Sequence, residues 1–531
     1  MLISGDSYRE SLRRYKPQVY VDGRTIESVA DEPSLAPGIN AVALTYDFAL
    51  REQFKPVMRA DVAATGARDV NRMMGIPANS QDLLNKLEAV RLVCQETGCA
   101  ERYLGGDCLS AIWQSAHRVD AANGSKYVPR VRAYLERVFA EDLTLGVAMT
   151  DAKGDRSKRP YQQPNPDVYL HISERRADGI VLSGVKAIVT GAPYMHELLV
   201  MPCRNMSEHD ADFAVCCAVP IDAPGMTIVA RPAGRPGEKA AKFSAKYGQS
   251  TGVVLFDKVF VPWERVFLAG ETEFAAPLVY DYTAHHRHTC IAARAGFGDL
   301  LIGAGALMTE ANGIDLDRAD NLREQMVDLI KIVEGFYACG VAASVYCIAD
   351  TRAGVAVPES VFANIGKLLL ATQIYDMHRI AHHVSGGLIV TLPGPDEDHN
   401  PATAGRLSEV LSARSDIPYE KRIEVARFVE DLTASYQAGW YSVISLHGGG
   451  SPEAMKMEIW RNYPLGNKVD LVERLLERGI LTDETRKITR NRQPGRCCDA
   501  GCQVPAAPQM VALPKPVEPA SIGGRRLGAV K

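Results

Sequence analysis

Thr150-Asp151-Ala152-Lys153-Gly154-Asp155-Arg156-Ser157-Lys158-Arg159-Pro160-Tyr161-Gln162-Gln163 is where the chain changes character. Before it the apolar residues recur with a helical period; after it short β-rich runs begin. Lys153-Gly154-Asp155-Arg156 sets three charged side chains around a glycine free to adopt positive φ. A loop of that kind can aim charges and backbone N–H groups at an anionic or amide-rich ligand. It can equally be a charged, solvated surface loop, since loops are polar by default. Two strand-like runs follow at 168–174 and 179–189, closed by Thr190-Gly191-Ala192.

Residues 1–35 are polar with a short hairpin expected at 18–26 around Asp22-Gly23. From 38 to about 145 the spacing predicts helices at 80–93, 111–121 and 127–139, with a glycine-containing break at 101–107 that opens toward a pocket. From 146 to 268 strands are expected near 168–172, 180–189, 197–201, 213–219, 227–230 and 253–261, in an antiparallel sheet or small barrel. After 274 the period is helical again. Helices are expected at 275–285, 292–312, 322–350, 358–383, 402–413, 420–445, 452–461 and 468–478. The helix at 322–350 is apolar on most faces, as in a bundle centre or subunit interface. Residues from 491 read as a loosely ordered tail. The predicted class is α+β, in the order of the acyl-CoA dehydrogenase architecture: an N-terminal helical domain 1–145, a middle antiparallel β domain 146–272, a C-terminal helical bundle 273–490 and a tail 491–531.

At 531 residues the chain should hold more than one core. Lysine and arginine total 60 against 64 acidic residues, a net charge of −4, so a nucleic-acid partner is not expected. No apolar run approaches the roughly 20 residues that span a bilayer, and the first residues lack a signal-peptide pattern, so a cytoplasmic protein without membrane association is expected. Most of the twelve cysteines sit in apolar runs and read as buried hydrophobes, Cys99 and Cys290 among them. Cys497, Cys498 and Cys502 lack a nearby histidine, and no metal site is read there.

Several motifs keep a shared order along most of the chain. They include the 150–157 run, Gln162-Gln163-x-x-Pro166-Asp167, Thr190-Gly191-Ala192, Gly296-Phe297-Gly298-Asp299, Gly386-Gly387-Leu388-Ile389 and Leu446-His447-Gly448-Gly449-Gly450-Ser451-Pro452. By these the chain resembles the flavoprotein family that joins 4-hydroxyphenylacetate 3-monooxygenase with 4-hydroxybutyryl-CoA dehydratase, closer overall to the dehydratase branch. The resemblance implies FAD, a homotetramer and, in the dehydratase branch, a four-iron cluster held by three cysteines and a histidine. Here the matching positions are Cys99, Tyr103, Ala293 and His286. One thiol and one imidazole do not make four cluster ligands, so no iron–sulfur cluster is expected. The glutamates expected near the substrate are replaced by Thr251 and Ile444. The monooxygenase positions for an arginine, a tyrosine and a histidine fall on Leu104, Cys108 and Asp151, with Arg102 and Tyr103 nearby as substitutes.

The expected catalytic groups are His286, in the run His285-His286-Arg287-His288 at a helix start, with Arg102, Tyr103 and His447. The expected cofactor contacts are Asp151, Lys153, Gly154, Asp155, Arg156, Gln162, Gln163, Thr190, Gly386, Gly387, Gly448 and Gly449. No Gly-x-Gly-x-x-Gly follows a strand as a dinucleotide unit requires, which fits a protein supplied with FADH2 by a separate flavin reductase. The expected activity is a two-component monooxygenase on an aromatic or other small organic substrate. The rivals are a cluster-free acyl-CoA isomerase or dehydratase-like lyase using FAD, and a flavin-binding relic without activity.

Overall fold

The computed structural model describes residues 1–478. The chain begins with α1 (Gly5–Leu12), β1 (Gln18–Val21), β2 (Arg24–Ile26), α2 (Ala36–Leu50), α3 (Lys55–Met58), β3 (Arg59–Val62), β4 (Ala67–Asn71), α4 (Ser80–Thr97), α5 (Tyr103–Asn123) and α6 (Tyr127–Glu141). The middle part holds β5 (Leu145–Ala148), β6 (His171–Arg175), β7 (Gly179–Thr190), β8 (Glu197–Val200), β9 (Val215–Pro220), β10 (Met226–Ala230), α7 (Lys242–Lys246), β11 (Thr251–Pro262) and β12 (Val266–Ala269). The C-terminal part consists of α8 (Ala275–Ala311), α9 (Asp320–Val345), the β13 (Ile348–Asp350) and β14 (Val355–Val357) hairpin, α10 (Ser360–Ser385), α11 (Ala404–Leu411), α12 (Tyr419–Ala434), α13 (Tyr436–His447), α14 (Pro452–Asn462) and α15 (Leu465–Arg478). This is the α+β order expected from the sequence: N-terminal helices, a middle β part and a C-terminal helical bundle.

The strands form a six-stranded sheet, β2-β1-β10-β11-β7-β6, facing a four-stranded sheet, β12-β9-β8-β5. Leu198, Val200, Cys217 and Val219 point into a core shared with Leu182, Ile228, Val254 and Phe256 of the larger sheet. Their neighbours Leu199, Met201, Cys216 and Ala218 point the other way, into a second core with α5 and α6. The smaller sheet is therefore buried on both faces, which is why its strands read as continuous apolar runs rather than alternating ones. A third core joins α4, α8, α9, α10, α12 and α13. Helix α8 lies at its centre, and Gly296 lets it approach α4 closely. A Cβ there would stand 2.5 Å from the Arg91 carbonyl oxygen.

The structure differs from the sequence expectation in several places. The hairpin at 18–26 forms, but β1 pairs in parallel with β10, so it belongs to the middle sheet and not to the N-terminal helices. β5 and β8 are also parallel, so the middle part is not purely antiparallel. A further hairpin, β3–β4, interrupts the stretch read as helical. The supposed break at 101–107 is largely the first turn of α5. The helices expected at 275–285 and 292–312 are one helix, so His286 lies inside α8 and not at a helix start. Conversely, 420–445 splits at Ser435, whose hydroxyl caps α13 by accepting from Ala438 N. Thr272–Ala311 is long and apolar enough to cross a bilayer, but most of that apolar stretch is buried in the bundle. The tail at 491–531, with Cys497, Cys498 and Cys502, lies outside the described residues.

Candidate active site

α8 delivers the central groups. On its inward face stand His286, Cys290 and Arg294, spaced by four residues, so all three look the same way. The imidazole of His286 is stacked between Tyr282, with ring centres 5.2 Å apart, and Tyr103, 6.3 Å away. Held in that plane, its Nε2 lies 3.5 Å from Cys290 Sγ and its Nδ1 lies 3.5 Å from Asp107 Oδ2. Asp107 comes from α5, is fully buried, accepts from Thr289 Oγ1 at 2.6 Å and faces Lys86 Nζ of α4 at 2.9 Å. Burial opposes charge on Asp107, but Lys86 and His286 outweigh it and hold the carboxyl at about 2. Burial likewise opposes charge on His286; Cys290 and Asp107 outweigh it and raise the imidazole to about 9.

The flanking histidines do other work. His285 Nε2 bonds Gln114 Oε1 at 3.0 Å, and His288 Nε2 bonds Ser344 Oγ at 2.7 Å. Burial pushes both down to about 3, so they are neutral packing groups.

A second group lies around Cys99, in the short connection between α4 and α5. Cys99 Sγ lies 3.8 Å from Tyr103 Oη. A hydrogen bond from Cys94, and then the Arg294 cation, hold the Cys99 thiol below its ordinary value against the effect of burial. The Arg294 guanidinium sits 5.0 Å over the Tyr441 ring and donates to Ser445 Oγ at 2.5 Å. The β part closes the other side. Tyr194 Oη donates to Glu101 Oε2 at 2.9 Å and accepts from Ser250 N, which places Gln249 and the Thr190-Gly191 strand end beside the connection. Burial keeps the Glu101 carboxyl well above the usual carboxylate range.

The turn at 448–450 covers the His286 side. Gly449 has φ +74°, and a Cβ there would stand 3.5 Å from His286 Cδ2 and 3.7 Å from Lys367 Cε. Its carbonyl accepts from Arg287 Nε at 2.9 Å. Lys367 is buried, donates to the Ser445 carbonyl at 2.8 Å, and is pushed down to about 8 by burial.

The predicted site residues thus divide. His286, Tyr103, Thr190, Gly448 and Gly449 gather at or beside this junction. Arg102, next to Tyr103 in sequence, is spent elsewhere: it ion-pairs with Asp142, donates to the Asp142 carbonyl and lies 3.6 Å over the Tyr46 ring. His447 is exposed at the end of α13, so it is its glycine neighbours, not the imidazole, that reach the site. Asp151 is buried against Lys186 at 2.8 Å and accepts from Leu170 N, an arrangement that ties the start of the loop to β7. Gln163 accepts from Asp155 N and donates to the Asp155 and Lys158 carbonyls, and Gln162 accepts from Arg159 N, so both amides brace their own loop. Lys153 and Gly154 take positive φ at the bend of that loop, and Asp155 caps Ser157; Arg156 is exposed. Gly386 and Gly387 end α10 next to Asn312, eighteen residues past Arg294 and so about 27 Å along α8.

Cys290, Arg294, Asp107, Lys86, Lys367 and Tyr441 were not singled out by sequence reading, and Cys290 and Cys99 were read as packing residues. The i, i+4, i+8 spacing of His286, Cys290 and Arg294 was the one signal available.

The donor chemistry bears on which groups the site can hold. At the four positions that would ligate a cluster, the chain offers a thiol, a phenol, a methyl group and an imidazole. Among the described residues no group of three or more His, Cys, Asp or Glu is placed to hold a metal ion. These residues do not fit a four-iron cluster. An amide-rich or carboxylate-bearing ligand does fit. Among the described residues, Arg294 Nη1, Tyr441 Oη, Glu101 Oε1 and both amide atoms of Gln249 are buried with no hydrogen-bond partner. Buried polar atoms are normally satisfied, so donors and acceptors left open side by side mark a place for a polar ligand.

Comparison with known proteins agrees with this architecture. The family model described as 4-hydroxyphenylacetate 3-hydroxylase N terminal matches residues 4–268, and that described as its C terminal matches residues 275–477. The chain is 33% identical to 4-hydroxybutyryl-CoA dehydratase/vinylacetyl-CoA-Delta-isomerase of Clostridium aminobutyricum, over 89% of this chain and 99% of that protein. It is 24% identical to the 4-hydroxyphenylacetate 3-monooxygenase oxygenase component of Thermus thermophilus, over 90% and 97%. Among solved structures, an oxygen-tolerant archaeal 4-hydroxybutyryl-CoA dehydratase from N. maritimus superposes with a TM-score of 0.85 at 34% identity, covering 91% of this chain and 96% of the other. The oxygenase component of 4-hydroxyphenylacetate 3-monooxygenase complexed with FAD shares the fold, with a TM-score of 0.80 at 21% identity, covering 92% and 100%. With both halves matched and the fold shared along nearly its whole length, the chain belongs to the 4-hydroxyphenylacetate 3-hydroxylase family.

Proposed function

We propose that the protein is a flavin-dependent monooxygenase that takes reduced FAD from a separate flavin reductase and oxidises a small aromatic or other small organic substrate, without an iron–sulfur cluster. The observation that carries this reading is the set of open donors and acceptors around Cys99 and Arg294, two helical turns along α8 from His286, where cluster ligands are missing. Relatives named as oxygenase components and an FADH(2)-dependent monooxygenase support it. Reduced FAD, when bound, would supply the electrons that activate oxygen. Arg294, Tyr441 and the Gln249 amide are the groups that would hold carbonyl or carboxylate oxygens of flavin or substrate. His286 would hold or move a proton at Nε2, with Asp107 fixing its orientation at Nδ1. The Gly449 turn and the buried aromatic rings keep water from these groups. Oxygen uptake with supplied reduced FAD, screened against phenols, tests this; substrate-coupled uptake is expected. Uptake that no substrate changes, together with full-cluster amounts of iron and acid-labile sulfide in anaerobically purified protein, would overturn it.

The identity to a dehydratase over 99% of that protein favours a second reading, a cluster-free acyl-CoA isomerase or lyase in which His286 moves the proton. Anaerobic turnover of short acyl-CoA thioesters distinguishes the two.

A further inference from the structure

Cys290 follows His286 by one helical turn, and Asp107 backs the same imidazole from α5. Thiol, imidazole and carboxylate therefore meet at one ring: Sγ lies 3.5 Å from Nε2 and 3.9 Å from Nδ1, and Nδ1 lies 3.5 Å from Asp107 Oδ2. The two stacked tyrosine rings allow the imidazole little rotation out of its plane. This is the arrangement by which proteins activate a nucleophile, with a base within reach and a third group orienting the base. Cys290 is half-buried, whereas Cys94, Cys99, Cys108, Cys216 and Cys217 are buried. Buried Lys367 and His286 flank the same glycine turn, so a cation stands ready for an oxyanion.

We propose that Cys290 is a nucleophile that adds reversibly to an electron-poor alkene conjugated to a carbonyl, with His286 as its base and Asp107 as the positioning residue. Enoyl thioesters and quinones share this chemistry. In the forward step His286 Nε2 takes the thiol proton and the sulfur bonds to the β-carbon. The alkene electron pair moves onto the carbonyl as an enolate facing Lys367, and the α-carbon then takes the proton from Nε2. The net change is addition of S–H across the double bond, with no oxidant or reductant required. The step does not depend on flavin, so it is testable apart from the monooxygenase reading.

The probes are N-ethylmaleimide and 2-cyclohexen-1-one, applied to the purified protein at neutral pH, with each cysteine followed by peptide mass spectrometry. Cys203 and Cys339, which are also half-buried, serve as internal references. Cys290 is expected to react at least about tenfold faster than either reference, and His286→Gln or Asp107→Asn should remove about that advantage while leaving Cys339 unchanged, within the range of general-base contributions. The cyclohexenone adduct should reverse on dilution. Labelling of Cys290 no faster than Cys339 in the unaltered protein would overturn the proposal without recourse to any variant. So would rapid labelling that persists in His286→Gln.

Discussion

The buried Lys86–Asp107 pair offers a quantitative test of how the site is held. Both side chains are essentially without solvent contact and their charged atoms are 2.9 Å apart. Removing one partner of such a pair strands the other charge and costs about 3–5 kcal/mol, whereas replacing both with apolar groups of similar size is often neutral. Lys86→Met leaves Asp107 with Thr289 and His286, so its cost should fall near the lower figure. Asp107→Leu strands an ammonium that has no other ion-pair partner among the described residues, and its cost should fall near the upper one. With a urea slope of about 3 kcal/mol/M, midpoints should drop by about 1 and 1.7 M. The double variant should recover to within about 1–2 kcal/mol of the parent. Tryptophan fluorescence at fixed protein concentration reads all three. If the double variant loses the sum of the two single losses, the residues act independently and the ion pair does not organise the site. The recovered double variant should still lack a positioned His286, and its Cys290 should lose its extra reactivity.

His286→Ala should lower turnover by about a hundredfold to ten-thousandfold, while His285→Ala and His288→Ala should instead lower thermal stability by loosening Gln114 and Ser344; equal turnover losses in all three would refute the assignment. Gln163→Ala should expose the 154–163 loop to proteolysis and weaken FAD binding, because three bonds brace the loop through that one amide; Arg156→Ala should leave proteolysis unchanged. His196, His285 and His288 are held near 3, and His378 near 4, by burial, so their contribution to stability is complete above about 6.5 and is lost as pH falls below that. His286, held near 9, contributes the opposite way: its share is present below about 6.5 and lost as pH rises through 9, so denaturation midpoints should peak near pH 7. The protein should be a homotetramer by light scattering, with the exposed apolar residues Trp460, Val472 and Leu476 of the last helices covered; a stable monomer would refute this.

The texture of the sequence was enough for the order of the parts. Periods of 3.6 and 2 report which face of each element is apolar, and that depends only on neighbours in the chain. The same local rule failed where long-range pairing decided the outcome. β1 follows a polar N-terminal segment, yet it joins the middle sheet because the edge of β10 is available to it. The break expected at 101–107 became helix because Gly105 and Gly106 pack against β5 and the residues after β4, where a side chain would collide.

The site shows the same division. His286 and Tyr103 were legible because residue type and family position pointed to them. Arg102 and His447 were equally plausible from composition, but a side chain's direction depends on which partner reaches it first. Asp142 and the Tyr46 ring take Arg102, and the end of α13 turns His447 to solvent. The loop 150–163 was read as a hand held out to a ligand; much of its polarity is used to brace the loop itself. Cys290, Arg294 and Lys367 passed unnoticed because a cysteine in an apolar run looks like packing. α8 itself sets His286 and Arg294 on the same face as that thiol, and only the packing of α5 and α10 against it adds the Asp107 carboxylate and the Lys367 cation. Apolar period and motif order sufficed for the succession of helical and β parts and for the family, but not for the β3–β4 hairpin or the continuity of α8. The tertiary structure decided which polar groups are buried together, and burial is what gives those groups their altered proton affinities and their chemistry.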